Sequence, residues 1–186
     1  AWRIGGWQSL PLPHIAWVGA PPPLPKREFI ALADGSSELE YALSALHDLF
    51  AKAPTLGTLV EPSGGDLFEA EKTREIERLL KPLIEKARRA EPEQAEGAIA
   101  ARGMADAATL LHRRFVLQTT NVPFLGYREM SAQLVEYVQR RFPETKGDLG
   151  YSMWDRCYRL SRTGGTIALI SLQHWLSLVS YENFRR

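Results

Sequence analysis

An α/β fold with a parallel sheet is what this sequence predicts, and three observations predict it. The run Thr166-Ile167-Ala168-Leu169-Ile170-Ser171-Leu172 shows no polar alternation, the pattern of a strand covered on both faces in a parallel sheet. A second strand, residues 114–120, carries the apolar run Phe115-Val116-Leu117, and helical periodicity separates the two. Strands that alternate with helices in this way define the α/β class. At 186 residues the chain suffices for one ordinary domain with a sizeable core and is short for two.

Before the first of those strands, residues 1–13 are rich in Trp, Gly and Pro, and His14-Ile15-Ala16-Trp17-Val18, closed by Gly19, predicts a short strand. Pro21-Pro22-Pro23 and Pro25 make an extended connector. Ser37 and Glu40 stand at capping-box spacing, and Leu39, Ala42, Leu43, Leu46, Leu49 and Phe50 continue as a helix. Ser63-Gly64-Gly65 marks a turn, and after it Ile76, Leu79, Leu80, Leu83, Ile84 and Ala87 recur on one face of a long charged helix, which Pro82 is expected to kink. Charges of both signs between Glu69 and Arg89 read as a solvated face. A polar, alanine-rich stretch, 91–106, leads to the strand at 114–120; with the charged helix it forms an expected helical insertion around 66–106. Past the strand, Met130, Leu134 and Val138 predict a helix. Gly147 and Asp148 precede another, through Trp154, Cys157, Tyr158 and Leu160, expected to end near Gly164-Gly165.

Composition removes several function classes. Basic and acidic residues nearly cancel, for a net charge of +1, so charge gives no warrant for a dedicated nucleic-acid or membrane surface. Cys157 is the only cysteine, which excludes an internal disulfide and a cysteine-rich zinc site and fits a reducing, cytoplasmic setting. No apolar run has the length of a membrane span. His14, His47, His112 and His174 lack metal-ligand spacing, so no metal is expected. Ser171 has no GxSxG elbow around it, and Trp154 and Trp175 read as core. The opening Ala1-Trp2-Arg3-Ile4 is neither an initiator methionine nor a targeting segment, and the expectation is a piece of a longer protein.

Chemistry concentrates in "TTNVPFLGY", residues 119–127, where the central strand gives way to a loop. In open α/β sheets ligands bind beyond the carboxyl ends of the strands. Asn121 offers a side-chain carbonyl, Val122 a backbone carbonyl, Pro123 a restricted conformation that aims it, and Phe124 a flat apolar face. Together they suit a planar ring that carries an exocyclic amino group.

This stretch resembles the Asn-Pro-Pro-Tyr/Phe motif of the amino-group DNA methyltransferases, which methylate adenine N6 with S-adenosyl-L-methionine. The segments "KGDLGYSMWDRCYRL" and "GGTIALISLQHWLSLVSYENFRR" are similar to those that follow the motif in the large bacterial adenine-specific enzymes of restriction-modification and BREX phage-defence systems. "AWRIGG…LPLPHIAWVGAPP" and "LHDLFAKAPTLGTLVEP" are similar to the segment between the cofactor-binding half and the motif. Nearly the whole chain is covered, the charged helix at 66–91 in character only.

The resemblance implies a Rossmann-like methyltransferase fold, here partial, with residues 1–186 as its C-terminal, catalytic-loop part and the first strands missing. Asn121 through its side-chain oxygen and Val122 through its carbonyl would accept from the target amino group, Pro123 would stiffen the loop, and Phe124 would stack on an adenine flipped out of double-stranded DNA. Val122 stands where the family has its first proline, and Phe124 replaces the commoner tyrosine. Val18 and Gly19 would end the third strand, beside the cofactor's adenine, without the carboxylate that position would offer. Lys146 and Asp148 line the pocket, Lys146 toward substrate, or cap the following helix; the sequence leaves both open. Gly5-Gly6, Gly64-Gly65 and Gly164-Gly165 do not make the family's glycine-rich cofactor turn. The implied partners are DNA and the subunits of a restriction or defence system. A non-catalytic α/β domain kept for binding or assembly is the alternative.

Overall fold

Ser36 starts the first long helix. Its hydroxyl accepts from the Leu39 amide at 3.4 Å, one of the helix's orphan donors, and α2 (Ser37–Phe50) follows. The cap is therefore Ser36, one residue earlier than the expected Ser37, and position N3 is Leu39 rather than a glutamate. Leu39, Ala42, Leu43, Leu46 and Phe50, at helical spacing, are all buried. Against them lies α1 (Lys26–Ala31), a helix with no counterpart among the expected elements, whose Phe29 is fully buried with its ring edge-on to His47. His47 in turn shares a 3.2 Å hydrogen bond with the Leu24 carbonyl, a structural role.

The computed structural model describes residues 13–62, 78, 81 and 92–185. Outside these residues lie the expected Ser63-Gly64-Gly65 turn, the start of the chain with Gly5-Gly6, and the charged helix with its Pro82 kink. Of that helix only Arg78 and Lys81 are described, and both are helical. Next come the short α3 (Ala53–Leu56) and a 3₁₀ turn, Gly57–Leu59. The alanine-rich stretch is helical and runs past 106 to the edge of the strand, as α4 (Pro92–His112). Its buried Ala98, Ala101, Ala105, Ala107 and Ala108 explain the composition: small side chains let neighbouring helices approach closely.

The expected strand at 14–18 does not form. Residues 13–20 have no regular structure; Ala16 and Val18 turn toward the helical core, while Ile15 and Trp17 are exposed. The apolar run packs one side of a single extended segment on helices, and a strand also needs a neighbour to take its backbone hydrogen bonds.

Among the described residues two strands form the sheet, β1 (Phe115–Asn121) and β2 (Ser161–Ile170), paired in parallel. The crossover between them holds α5 (Ala132–Arg141) and α6 (Leu149–Arg159). Ser131 caps α5 on the Leu134 amide, and Met130, Leu134 and Val138 are buried, as their spacing predicts. Helix α6 stops at Leu160, short of Gly164-Gly165, and those glycines belong to β2. Gly164 has φ +76, and a Cβ on Gly165 would lie 2.9 Å from the Arg162 carbonyl oxygen and 3.0 Å from that of Phe115. The register shifts between Phe115 and Leu117 at the same place, so the pair marks an irregularity in the ladder and not a helix stop.

Coverage of β2 also differs from expectation. Gln118, on the covered side of β1, donates to the Cys157 carbonyl and to Ser161 Oγ, which places α6 over that side. The other side, with Leu117, Thr119 and Asn121 opposite Thr166, Ala168 and Ile170, is exposed. An unalternating apolar sequence records what a strand is built to touch, and among the described residues only one face has its partner. Beyond β2 the chain makes 3₁₀ turns at Gln173–Leu176 and Val179–Tyr181, then α7 (Glu182–Arg185), and returns along α6: Trp154, Trp175 and Phe184 meet edge to face at 4.8 to 6.3 Å. Both tryptophans are half-buried packing groups.

Arg156 of α6 joins these layers. Its guanidinium donates to the carbonyls of Thr58, Val60 and Leu111, at 3.3, 3.1 and 2.9 Å, and lies 3.6 Å from Glu61. Burial works against its charge and Glu61 supports it. Glu61 also accepts from Arg141 and Arg159.

Candidate active site at the end of the first strand

Asn121 is the last residue of β1, opposite Ile170, and the loop begins at Val122. An open depression of about 500 Å³ lies over the carboxyl-terminal halves of both strands, lined by Thr119, Thr120, Asn121, Ala168, Leu169 and Ile170. The depression lies on the exposed face of the sheet, and Asn121 on its wall stands at the carboxyl end of β1, the end beyond which an open α/β sheet holds its ligands.

The four loop residues divide by exposure. Asn121, Pro123 and Phe124 are exposed, Phe124 at 47%, whereas Val122 is 3% exposed. An exposed phenyl ring beside a polar amide is poor core packing and good stacking surface. The buried Val122 side chain anchors the loop, which gives the valine at this position a structural reason.

The first turn of α6 holds the loop from below. Leu149 N–H donates to the Leu125 carbonyl at 2.9 Å, Tyr127 N–H donates to the Gly147 carbonyl at 3.1 Å, and Gly126 and Asp148 form an antiparallel bridge. Asp148 Oδ1 accepts from Gly150 N–H at 2.7 Å, so Asp148 caps α6, and the choice left open by the sequence falls to the cap for this residue. Burial raises its carboxyl above the usual range; the Gly150 and Leu125 amides and His174 pull the other way. On the far side of the turn, Tyr181 packs edge-on against Tyr151 at 4.6 Å, and its hydroxyl lies 2.6 Å from where a Cβ on Gly147 would be. Burial, with Tyr151 and Asp148 nearby, pushes the Tyr181 hydroxyl up to about 12.

Other expected site residues fare differently. Lys146 is an exposed turn residue beside Gly147, close in sequence to this clamp. Val18 and Gly19 do not end a strand; Val18 packs on the helical core, and a Cβ on Gly19 would lie 2.7 Å from Trp17 Nε1. Residues 18–19 therefore lack the strand end on which the expected position beside the cofactor's adenine was built. Gly150, Tyr151 and Tyr181 escaped the sequence reading. For Gly150 a signal was present, a glycine just inside a helix where alanine is the better former. Among the described residues no three His, Cys, Asp or Glu side chains gather as a metal site, and no helix is long and apolar enough to cross a membrane.

Comparison with known proteins bears out the resemblance read from the loop. The chain is 30% identical over 155 residues to the adenine-specific methyltransferase BrxX of Escherichia coli O9:H4 (strain HS), a match that takes in 83% of this chain and 12% of that protein. It is 28% identical over 75 residues to the adenine-specific methyltransferase PglX of Lacticaseibacillus casei (strain Zhang), across 40% of this chain and 6% of the relative. No family model matches. The chain thus spans only a small part of the length of the adenine-specific methyltransferases it is similar to, and among the described residues it has a mixed helix and strand structure around a short parallel sheet.

Proposed function

We propose that this chain is the base-presenting part of a DNA adenine N6-methyltransferase that works in restriction-modification or phage defence, on a Rossmann-like sheet continued by other parts of the protein. The observation that carries the reading is the position of Asn121, the last residue of a parallel strand, on the wall of an open depression, with the exposed Phe124 ring three residues on. Relatives named as adenine-specific methyltransferases support the substrate class.

In this reading Phe124 stacks on an adenine extruded from duplex DNA, a contact that contributes roughly 1–3 kcal/mol. The Asn121 side-chain oxygen and the Val122 carbonyl accept the two amino hydrogens, and Pro123 limits the loop's freedom to turn the carbonyl away. Each acceptor draws a hydrogen toward itself, which keeps the nitrogen lone pair out of conjugation with the ring and aims it away from the loop. S-adenosyl-L-methionine, as donor, supplies an electrophilic methyl group. The residues at 18–19 do not fit as its site, so its pocket belongs to another part of the protein. The chain's own contribution to rate is positioning.

Asn121→Ala in the full-length protein tests this. Methyl transfer to duplex DNA is expected to fall by at least about a hundredfold, as loss of a preorganised acceptor does, with cofactor affinity within a factor of about two. Transfer at the wild-type rate would show that the loop does not hold the base, and would favour a domain kept for binding or assembly.

A further inference from the structure

Gly150 is the second residue of α6, and its backbone is ordinary: the described glycines with positive φ are Gly35, Gly57 and Gly164. Conformational freedom therefore does not call for glycine at this position, and helix propensity speaks against it. Contact does call for it. A Cβ at Gly150 would lie 3.1 Å from the Pro123 carbonyl oxygen, 3.1 Å from Asp148 Oδ1 and 3.3 Å from Val122 Cγ2. Two of these neighbours belong to the loop that ends β1, and the nearest loop atom is backbone, which has no rotamer to swing aside. In the same clamp, Gly126 has nothing within 4 Å of a Cβ and Gly147 meets the end of the Tyr181 side chain, so of these three glycines it is Gly150 that meets the backbone of the β1 loop.

The geometry points to Gly150 as a positioning residue: its missing side chain sets the depth at which the Val122-Pro123 segment seats on α6. The empty volume over Gly150 is what the buried Val122 side chain fills. The rest of the loop has no slack to absorb an intruding methyl group, because the Leu125 carbonyl is tied to Leu149 N–H and Gly126 is bridged to Asp148. An added Cβ is therefore expressed as a lift of the loop by a few tenths of an ångström at Val122 and Pro123. Under the proposed function, on which this inference rests, the lift tilts the Val122 carbonyl away from the amino hydrogen it accepts. Gly150 touches no substrate and acts only through the loop.

The test uses the full-length protein, duplex DNA and labelled S-adenosyl-L-methionine. Gly150→Ala is expected to lower kcat about tenfold or more, with KM for DNA and for cofactor within about twofold, because misplacement by a fraction of an ångström costs transition-state contacts before it costs binding. Amide exchange along α6 should be unchanged. Adding Val122→Ala to Gly150→Ala removes Cγ2 from the contact while the Pro123 carbonyl still meets the added methyl, so kcat should recover in part, about threefold, the coupling expected of neighbours that share one space. Asn121→Ala, run beside them, separates the two readings. A wild-type kcat in Gly150→Ala beside an inactive Asn121→Ala overturns the positioning role and leaves the base-holding loop standing. A fully active Asn121→Ala removes the base-holding reading itself. A loss in Gly150→Ala that Val122→Ala does not relieve, or that comes with faster exchange through α6, makes Gly150 a packing residue and overturns the inference.

Discussion

The helical layer and the sheet of this molecule are held together by different means. In α1, α2 and α4, side chains such as Phe29, Leu43, Leu46, Phe50 and Ala101 are at most 1% exposed, and α2 packs on both of the other helices. In the sheet, Val116 and Leu117 are each 62% exposed and Ile170 is 64% exposed, with no β-strand residue fully buried. The loop that leaves β1 is fixed by backbone hydrogen bonds and one buried valine. Stability therefore resides in the helices, and the candidate chemistry sits on the layer with the least apolar support of its own. Sites tend to be carried by loops that a rigid scaffold positions, and here the scaffold is mostly α6.

Paired truncations on the two layers should break or sharpen that contrast. Phe50→Ala, in the helical layer, is expected to cost about 3–5 kcal/mol, whereas Leu117→Ala on the open sheet face should cost less than about 0.5 kcal/mol. Hydrogen exchange of the intact protein, followed through α2 and β1, reads both. Equal costs would mean that the open face is covered in the whole protein, and would correct the picture of an unsupported sheet.

A smaller loss is expected at the joint between the layers. Arg156→Met removes the donor to the Thr58, Val60 and Leu111 carbonyls, and leaving such buried groups unpaired should cost about 2–4 kcal/mol. Because those carbonyls belong to the helical side and Arg156 to α6, exchange should quicken on both sides of the contact. Protection lost on α6 alone would show that the carbonyls find other partners.

The smallest effect should be visible only as a pH dependence. Asp148 has its carboxyl raised by burial, so its native state favours the protonated form. The stability linked to that shift is full below the ordinary carboxylate value of 3.8 and is lost as pH rises through the higher native value. Asp148→Asn keeps a side-chain cap for Gly150 N–H and cannot titrate. Protection of the first turn of α6 should therefore fall with rising pH in the parent protein over that acid window and stay flat in Asp148→Asn. A parallel fall in both would assign the pH dependence to another group.

Much of the helical layer was legible along the chain, since spacings of three and four residues report a buried face without knowledge of the partner. Leu39 to Phe50 and Met130 to Val138 are of this kind. The short α1 was not, because six residues are too few to show a period. His14 to Val18 has the short apolar run of a strand and packs as an extended segment, since such a run carries no information about a hydrogen-bonding neighbour. Gly164-Gly165 has the composition of a helix stop and serves a ladder irregularity, because glycine answers to close backbone approach wherever it occurs. In the loop, the residue types at 121–124 were enough to name the chemistry they suit; their division into exposed and buried was not.

What the sequence determined by itself was local: that the longer periodic segments are helical, where the central strand ends to within a residue, and which donors, acceptors and rings stand together in residues 119–127. Those follow from periodicity, capping and side-chain chemistry, which act within a few residues. Only the tertiary structure decided that Val122 is an anchor, that Gly150 lies hard against the loop after β1, and that Arg156 ties α6 to carbonyls more than forty residues before it. Each depends on a close contact between groups far apart or unpatterned in the chain, and such contacts are settled by packing, which no linear spacing records.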